Sequence, residues 1–292
     1  MFRAPKGPLD ALISRPKPSW WDRFYTSPLK AIAQALYHLR QPVSRHDPAA
    51  IKIICISDTH TSQPSIPNGH VLIHAGDLSH SGSIDEIQMQ LDWLKLQPHL
   101  YKIFIAGNHD RALESRDREK LNWKGLIYLQ DSAKTIRLPN GRTLNVYGSP
   151  WTRKHGNWAF QYPANEDFWL EKIPQDVDIL VTHMPPRFHL DIDGWGDEGL
   201  LKELWRTRPA LHVFGHFHGS YGSDLLTYDG FESSYAGVRH GTEGWMSILG
   251  MAWRLLSYKL GWTSVNGTQL VNASIVGGLR DTLIRAPIEV CL

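Results

Sequence analysis

The strongest constraint on this chain is a series of short apolar runs that show no alternation of polar and apolar residues. They recur from residue 51 onward and read IKIICIS, VLIHA, KIFIA, LNVYG, ILVT, LHVF and QLVNASIV. Such continuous runs are typical of β-strands that are buried on both faces, as in a sheet covered by helices. The pattern therefore predicts a covered sheet rather than a sheet with one face in water.

Two amphipathic segments between these runs predict helices. Residues 83–97, SIDEIQMQLDWLKLQ, carry apolar residues at helical spacing, and Ser83 with Glu86 forms a candidate capping box. Residues 197–206, DEGLLKELWR, form the second predicted helix. Because strands and helices alternate along the chain, the predicted fold class is α/β with layered sheets.

The first 49 residues differ from the rest of the chain. Prolines flank an aromatic, helix-like run in this part, WWDRFYTSPLKAIAQALYHLR. We predict that residues 1–49 are an N-terminal extension with a helix and that residues 50–292 form one domain. The N-terminal residues contain no uninterrupted apolar stretch of the kind a secretory signal needs, and two cysteines imply no disulfide framework. We therefore expect a cytoplasmic protein.

A segment rich in aromatic residues, about residues 222–263, interrupts the predicted domain. Its centre, WMSILGMAWRLLSYKLGW, contains Arg254 and Lys259 and is too polar and too short to predict a membrane span. Two alternatives fit this insert. It forms an amphipathic helix that packs on the N-terminal extension, which is the favoured interpretation, or it lies on a membrane surface as a peripheral contact.

Polar residues of metal-binding types follow five of the apolar runs at the predicted strand ends. They are Asp58 and His60, then Asp77, then Asn108, His109 and Asp110, then His183, and finally His216 and His218. In open α/β sheets, ligands bind at the carboxyl ends of the strands. Residues that are far apart in the sequence are therefore expected to converge on one patch.

The residue types of this set indicate its chemistry. Two aspartates, one asparagine and four histidines offer oxygen and imidazole ligands without thiolates, which suits ions such as Mn, Fe or Zn. The set is too large for one ion with open positions, and it suits two ions that share a bridging carboxylate. Two such ions stabilise the attacking and leaving oxygens of a phosphoryl displacement, and a bridging water with a lowered pKa is the nucleophile. No Gly-rich phosphate loop or nucleophile elbow in the sequence indicates another mechanism.

The motifs SDTH, GDLSHSG, GNHD, TH and GHFH, in this order, resemble those of the calcineurin-like metallophosphoesterase family over roughly residues 51–292. The shorter pieces YGSPWT, WAFQYP and VNAS resemble the subfamily of small metallophosphoesterase-domain proteins. The resemblance implies a four-layer fold, in which helices flank a central β-sandwich. It also implies a binuclear metal site at the carboxyl ends of the strands.

The resemblance further implies a role for each residue of the set. The implied ligands are Asp58, His60 and His218 for the first ion, Asn108, His183 and His216 for the second, and Asp77 as the bridge. His109 resembles the histidine that contacts the phosphate and protonates the leaving oxygen. Asp110 resembles the residue that orients His109, and Asn108 also contacts the phosphate.

The resemblance to the small subfamily favours small phosphodiesters, such as cyclic nucleotides, and leaves phosphomonoesters open as substrates. A net charge of +2 gives no reason to expect a specific nucleic-acid partner. The alternative function is a weakly active metal-binding scaffold whose aromatic insert binds a membrane or a partner. One departure concerns the site itself, because Met184 stands in THMPP where the subfamily usually has glycine, and it is expected to crowd the site or make its pocket more apolar.

Overall fold

The structure is a computed structural model that describes residues 19–40, 50–263, 266–277 and 281–292. These residues fall into two compact units. The smaller unit comprises residues 19–40, 228–263 and 281–283, and the larger unit comprises residues 50–227, 266–277 and 284–292. The N-terminal helices and most of the aromatic insert therefore belong to the same unit, although about 190 residues separate them in the sequence.

The helices of the described residues are α1 Trp20–Thr26, α2 Pro28–Leu39, α3 Ile84–Lys95, α4 Arg111–Glu114, α5 Glu198–Thr207, α6 Gly230–His240 and α7 Trp245–Lys259. Short 3-10 helices cover Arg116–Lys120 and His218–Ser220. Within the described ranges, no helix is both long enough and apolar enough to cross a bilayer.

The larger unit contains two main β-sheets. The strands of the described residues are β1 Lys52–Ile56, β2 Val71–Ala75, β3 Tyr101–Ile105, β4 Ile127–Tyr128, β5 Ser132–Arg137, β6 Thr143–Ser149, β7 Thr152–Arg153, β8 Gln161–Tyr162, β9 Ile179–Thr182, β10 Leu211–Phe214, β11 Gly222–Thr227, β12 Gly267–Asn272, β13 Val276–Gly277, β14 Leu283–Ile284 and β15 Ile288–Cys291. One sheet has the order β15-β1-β2-β3-β4, and the other has the order β11-β12-β10-β9-β6-β5.

The two sheets pack face to face through a shared apolar core. Ile53 and Cys55 of β1 belong to a buried cluster that also contains Val181 and other residues of the six-stranded sheet. Ile54 and Ile56 of the same strand point the other way, into a cluster with the apolar face of α3. Successive side chains of a strand point to opposite faces, so a run buried on both faces has no polar positions. The predicted two-face burial is confirmed.

Helices cover the outer faces of this sandwich. Helix α3 packs on the five-stranded sheet through Ile87, Leu91 and Leu94. Helix α5 connects β9 to β10, which are parallel neighbours, so it must cross one face of the six-stranded sheet. The inner face is already filled by the shared core, so α5 lies on the outer face. The predicted four-layer arrangement, with helices flanking a central β-sandwich, is confirmed.

Parallel pairing places the loops that carry the predicted ligands on one edge of each sheet. Strands β1, β2 and β3 are parallel neighbours, and so are β9, β10 and β12. At this edge Ser57, after β1, forms a parallel bridge with Ser274, after β12. The bridge joins the two sheets where the strands end, which brings the loops of both sheets together.

The two predicted helices of the larger unit are confirmed as α3 and α5, but the capping box at α3 is only half right. The Ser83 side chain accepts a hydrogen bond from the backbone nitrogen of Glu86 at 3.3 Å. The Glu86 carboxylate does not accept a hydrogen bond from the backbone nitrogen of Ser83, as a capping box requires. It accepts instead from the backbone nitrogens of His80 and Ser81, at 3.0 and 2.7 Å, and so fixes the loop that follows β2.

The smaller unit consists of helices from both ends of its sequence. The run predicted as one N-terminal helix is two helices, because Pro28 has no backbone N–H and starts α2 as a new helix. The Tyr37 ring of α2 stacks on the Tyr235 ring of α6 at 4.3 Å between centroids, and Arg40 pairs with the buried Glu232 at 3.0 Å. The insert therefore packs on the N-terminal helices, as the favoured interpretation predicted. The parts of the predicted extension at residues 1–18 and 41–49 lie outside the described residues.

A buried carboxylate on α5 should set part of the pH dependence of stability. Glu203 is 4% exposed, and its carboxylate accepts from the backbone nitrogens of Glu171 and Ile173 and pairs with Arg206 at 2.6 Å. Burial raises the pKa of Glu203, but Arg206 and the backbone donors outweigh burial and lower the pKa below its usual value of 4.5. Ionised Glu203 therefore stabilises the fold above about pH 4.5, and this contribution is lost as the pH falls through the folded pKa.

We predict that Glu203→Gln lowers the free energy of unfolding by about 1–3 kcal/mol at pH 7, because buried donors lose a charged acceptor. Urea denaturation at several pH values measures this difference, which should shrink below about pH 4. Glu166→Gln, at an exposed glutamate, is the matched control and should change stability by less than about 0.5 kcal/mol. An equal loss for Glu203→Gln at pH 7 and pH 3 would contradict the assignment.

Candidate metal centre

The predicted ligands all lie in loops that begin where a strand ends. Asp58 and His60 follow β1, Asp77 follows β2, Asn108 follows β3, His183 follows β9, and His216 and His218 follow β10. All seven are buried or half-buried. The loops meet at the edge where the two sheets are joined, so the predicted convergence of these residues is what the fold produces.

The first group of ligand-type atoms comes from Asp58, His60 and His218. One atom of each lies within 4.8 Å of the others. The Nε2 atom of His218 is 3.1 Å from Asp58 Oδ1 and 3.4 Å from His60 Nε2. The other oxygen of Asp58 accepts a hydrogen bond from Ser274 Oγ at 2.9 Å, which fixes the orientation of the carboxylate.

The second group surrounds His183. Its Nε2 atom is 3.2 Å from Asp77 Oδ2 and 3.1 Å from Asn108 Oδ1. The same oxygen of Asp77 is 3.8 Å from His60 Nε2, which belongs to the first group. Asp77 Oδ2 therefore lies between the two groups, where an oxygen shared by two cations would be needed.

His216 lies at the margin of this arrangement. Its ring centroid is 5.1 Å from that of His183, and its backbone nitrogen donates to the Asp58 carboxylate at 3.1 Å. Burial lowers the pKa of His216 to about 3, so the ring is neutral and offers a lone pair. The tight clusters found among the described residues do not include His216. Its role as a ligand of the second ion stays a prediction.

The hydrogen bonds around the histidines show why this set fits cations. The Nδ1 atoms of His60 and His183 face the backbone carbonyls of Ser79 and Ala75, at 3.2 and 2.9 Å. A carbonyl only accepts, so each Nδ1 carries a hydrogen, and each ring in its neutral form presents the lone pair of Nε2. At His183 the Nε2 atom faces two oxygen atoms, so a proton or a cation must lie between the nitrogen and these oxygens.

The pKa values follow the same electrostatics. Burial alone lowers the pKa of His183, but the Asp77 carboxylate outweighs burial and raises the pKa to about 9. Burial raises the pKa of Asp77, and His183 more than reverses this, holding the pKa well below the usual range of a carboxyl group. A proton on His183 compensates Asp77 in the same way as a metal cation would. The N and O donor set, without sulfur, fits divalent ions such as Mn, Fe or Zn.

The backbone at this site adopts a conformation that ordinary residues rarely take. Positive φ angles occur at Asp58 (50°), His60 (41°), Asp77 (54°) and His216 (67°). Each costs roughly 1–2 kcal/mol for a residue with a side chain, and such strain is concentrated at functional sites. The loops pack closely around these strained residues. A Cβ atom at Gly107 would overlap Asp77 Oδ1, and one at Gly215 would overlap Asp58 Oδ2.

His109 lies beside the two groups and is held on several sides. Its backbone nitrogen donates to Asp77 Oδ1 at 2.8 Å, and its Nδ1 atom contacts the carbonyl of His80 at 2.8 Å. Its ring centroid is 4.6 Å from that of His60 and 4.4 Å from that of Trp158. The carbonyl places the hydrogen on Nδ1, so Nε2 is the atom left for proton transfer.

Asp110 does not orient His109, and that part of the prediction is wrong. Its carboxylate accepts instead from the backbone nitrogens of Leu78, Ser79 and Gly107, at 3.2, 2.9 and 2.9 Å, and from Ser79 Oγ at 2.6 Å. Burial, reinforced by Asp77, raises the pKa of Asp110 to about 6. Asp110 therefore ties the loops after β2 and β3 together, and the His80 carbonyl orients His109.

Three residues near the site were not predicted to act there. Ser274 fixes Asp58, Trp158 packs on His109, and the His155 ring lies 5.0 Å from that of His216. Ser274 lies in the motif VNAS and Trp158 in the motif WAFQYP, but neither motif indicates which residue its side chain contacts. His155 is exposed and belongs to no motif, so no sequence pattern distinguishes it from the other histidines.

Other residues near these motifs have structural partners. Arg187 pairs with Glu198 at 2.6 Å, and Arg111 donates to the carbonyl of Asn157 at 2.6 Å. His74 is a core histidine whose Nε2 lies 3.0 Å from Thr59 Oγ1, and burial lowers its pKa to about 3. Met184 is buried, and its carbonyl accepts from Thr182 Oγ1.

We predict that Asp77→Asn weakens metal binding by at least about a hundredfold, more than the loss of an outer hydrogen-bond partner costs. The amide has the shape of the carboxylate but lacks the charge that holds both groups of ligands. Metal content after dialysis, measured by elemental analysis, gives the result. Asp92→Asn, at an exposed aspartate of α3, is the matched control and should keep the wild-type content. Full metal content in Asp77→Asn would show that this carboxylate is not a shared ligand.

The chain is similar to known proteins over most of its length. A family model described as calcineurin-like phosphoesterase matches residues 51–220. A human protein named metallophosphoesterase domain-containing protein 1 is 36% identical over 210 residues, which are 60% of this chain and 63% of that one. A UPF0046 protein of Caenorhabditis elegans is 32% identical over 226 residues, which are 69% of this chain and 76% of that one.

A further similarity is to a much longer protein. A protein of Emericella nidulans named probable rhamnogalacturonate lyase C is 42% identical over 288 residues, which are 94% of this chain and 28% of that one. The chain therefore spans under a third of this relative and less than two thirds of the human one. The lyase name belongs to that longer protein.

Proposed function

The chain belongs to the calcineurin-like phosphoesterase family, and from this premise we propose that it is a metal-dependent hydrolase of phosphoesters. The preferred substrates in this proposal are small phosphodiesters of the cyclic-nucleotide type, with phosphomonoesters as the second class. The observation that carries the proposal is the position of Asp77 Oδ2, which lies 3.8 Å from His60 Nε2 and 3.2 Å from His183 Nε2. One carboxylate oxygen between two groups of metal-binding residues is what a binuclear site requires.

The residues of the site divide into two sets that would hold two divalent cations. The first set is Asp58, His60 and His218, the second is Asn108, His183 and His216, and Asp77 is shared. The bound cations would supply positive charge that stabilises the phosphoryl oxygens and lowers the pKa of water. Mn, Fe and Zn are the proposed ions, because the donors are nitrogen and oxygen atoms without sulfur.

His109 is the proposed proton donor to the leaving oxygen. Its Nδ1 hydrogen is engaged by the His80 carbonyl at 2.8 Å, so the transferable proton is on Nε2. The ring of Trp158 packs against the His109 ring, and the Arg111 guanidinium lies 5.7 Å from the centroid of the Trp158 ring. Trp158 is therefore a positioning residue that limits rotation of His109.

The alternative is a metal-binding scaffold with weak activity, in which the aromatic insert is the working surface. The arrangement around His109 supports the hydrolase, because a scaffold has no use for a histidine whose ring is fixed by a carbonyl and a tryptophan beside the metal ligands. A cytoplasmic location is part of the proposal. Two free cysteines, the buried Cys55 and the exposed Cys291, are in keeping with a reducing compartment.

We predict that the purified protein hydrolyses bis-p-nitrophenyl phosphate when Mn²⁺ is added. Hydrolysis of p-nitrophenyl phosphate should be slower, because the resemblance to the small subfamily favours diesters. Chelation should abolish both rates, and adding Mn²⁺ back should restore them. Absorbance of the released nitrophenol measures turnover. No turnover of either ester by protein that contains metal would refute the hydrolase proposal.

We also predict that His109→Ala retains metal and loses turnover by about 10²–10⁴-fold, which is the range for a general acid. The loss should be larger for esters of phenol than for esters of p-nitrophenol, because a poorer leaving group depends more on protonation. His38→Ala, at an exposed histidine of α2, is the control and should leave turnover unchanged. If His109→Ala lost the same factor with both leaving groups, His109 would not be the acid.

A further inference from the structure

Helix α7 in the smaller unit has two apolar faces, and the residues that the structure describes cover one of them. Ile248, Met251 and Leu255 are buried. The exposed apolar residues of the segment are Trp245, Met246, Leu249, Trp253, Leu256, Leu260 and Trp262. From residue 246 to residue 260 these positions recur every three or four residues, so they form one stripe along the helix. We call these seven residues the α7 face.

The same unit exposes a second group of aromatic rings on α1. No residue of this helix is buried, and Trp20, Trp21 and Tyr25 are all exposed. The rings contact one another, with Trp20 stacked on Phe24 at 5.1 Å and Trp21 edge-on to Phe24 at 6.3 Å. A helix that buries nothing and carries four aromatic rings is unstable in water unless its apolar surface meets something else.

The charges within these two segments are predominantly positive. Residues 245–263 contain no aspartate or glutamate, and Arg254 and Lys259 are exposed in this segment. In residues 19–40 the acidic residue is Asp22, whose carboxylate accepts hydrogen bonds from Ser19, whereas Arg23 and Lys30 are exposed and basic. An apolar surface with basic flanks complements an anionic lipid surface.

The size of the α7 face argues against a second copy of the chain as its partner. A helix of 15 residues is about 22 Å long, so a stripe about 10 Å wide offers a few hundred Å² per copy. Stable protein interfaces bury about 800 Å² per partner. Like charges at Arg254 and Lys259 would also oppose pairing of two copies. Tryptophan rings at both ends of the stripe are typical of segments at the membrane–water interface.

We propose that the smaller unit binds the surface of anionic phospholipid bilayers, with the α7 face inserted among the headgroups and the aromatic rings of α1 adding to the contact. The helix lies parallel to the surface, because about 22 Å is shorter than the hydrocarbon core of about 30 Å. Arg254 and Lys259 then remain at the level of the lipid phosphates. This proposal is independent of the hydrolase activity, because none of the residues involved belongs to the candidate metal centre.

Flotation of the full chain with lipid vesicles tests the proposal. Vesicles of phosphatidylcholine alone are compared with vesicles that contain phosphatidylserine as well. The wild type should partition onto the anionic vesicles about tenfold or more above the neutral ones, and this preference should fall as salt is raised. The double variant Leu249→Glu/Trp253→Glu should reduce partitioning about tenfold or more, because it places two charges in the inserted face.

The matched control is Leu170→Glu/Trp195→Glu, which changes an exposed leucine (67%) and an exposed tryptophan (72%) of the larger unit. It should keep the wild-type partitioning, and circular dichroism with thermal unfolding checks the fold of both double variants. Absence of flotation, equal flotation with neutral vesicles, or equal loss in the control would overturn the proposal. So would light scattering that shows a wild-type dimer converted to a monomer by Leu249→Glu/Trp253→Glu.

Discussion

The arrangement of the larger unit depends on one electrostatic problem, the burial of Asp77 against ring nitrogens that offer lone pairs. The Nδ1 atoms of His60 and His183 donate to backbone carbonyls, so the Nε2 atoms of the neutral rings and the Asp77 carboxylate present acceptors to the same small volume. Acceptors that face one another without a donor or a cation are costly in a buried site. A proton on His183 or bound cations resolve the conflict, and the ability to hold cations in this way is the physical reason for assigning a metal centre to these residues.

The rest of the fold provides this geometry. Parallel strands deliver each ligand at the same edge, and the bridge between Ser57 and Ser274 joins the two sheets at that edge. Asp110, buried beneath the site, accepts hydrogen bonds from the loops after β2 and β3 and so sets the position of the residues around it. The positive φ angles at Asp58 and Asp77 are sustained because several such contacts act on the same few residues.

Continuous apolar runs followed by ligand-type residues were enough to predict the layered α/β fold and the meeting of Asp58, Asp77 and His183 at one edge, because strand burial and strand direction are encoded locally. Contacts between side chains and distant backbone are not encoded in that way. The carbonyl that orients His109 belongs to His80, and no sequence pattern distinguishes it from the Asp110 carboxylate as a partner. The pairing of Tyr37 with Tyr235 depends on tertiary packing and likewise has no local signal. Helix α6 was not predicted, although Phe231, Tyr235 and Val238, which it buries, recur at helical spacing.

The central claim is that Asp77 is shared by two cations. Anomalous X-ray scattering from crystals grown with Mn²⁺, collected on both sides of the manganese absorption edge, tests it most directly. We expect two peaks on either side of Asp77, about 3.5–4 Å apart, one near Asp58, His60 and His218 and one near Asn108 and His183. A single peak, or two peaks that Asp77 does not contact, would contradict it.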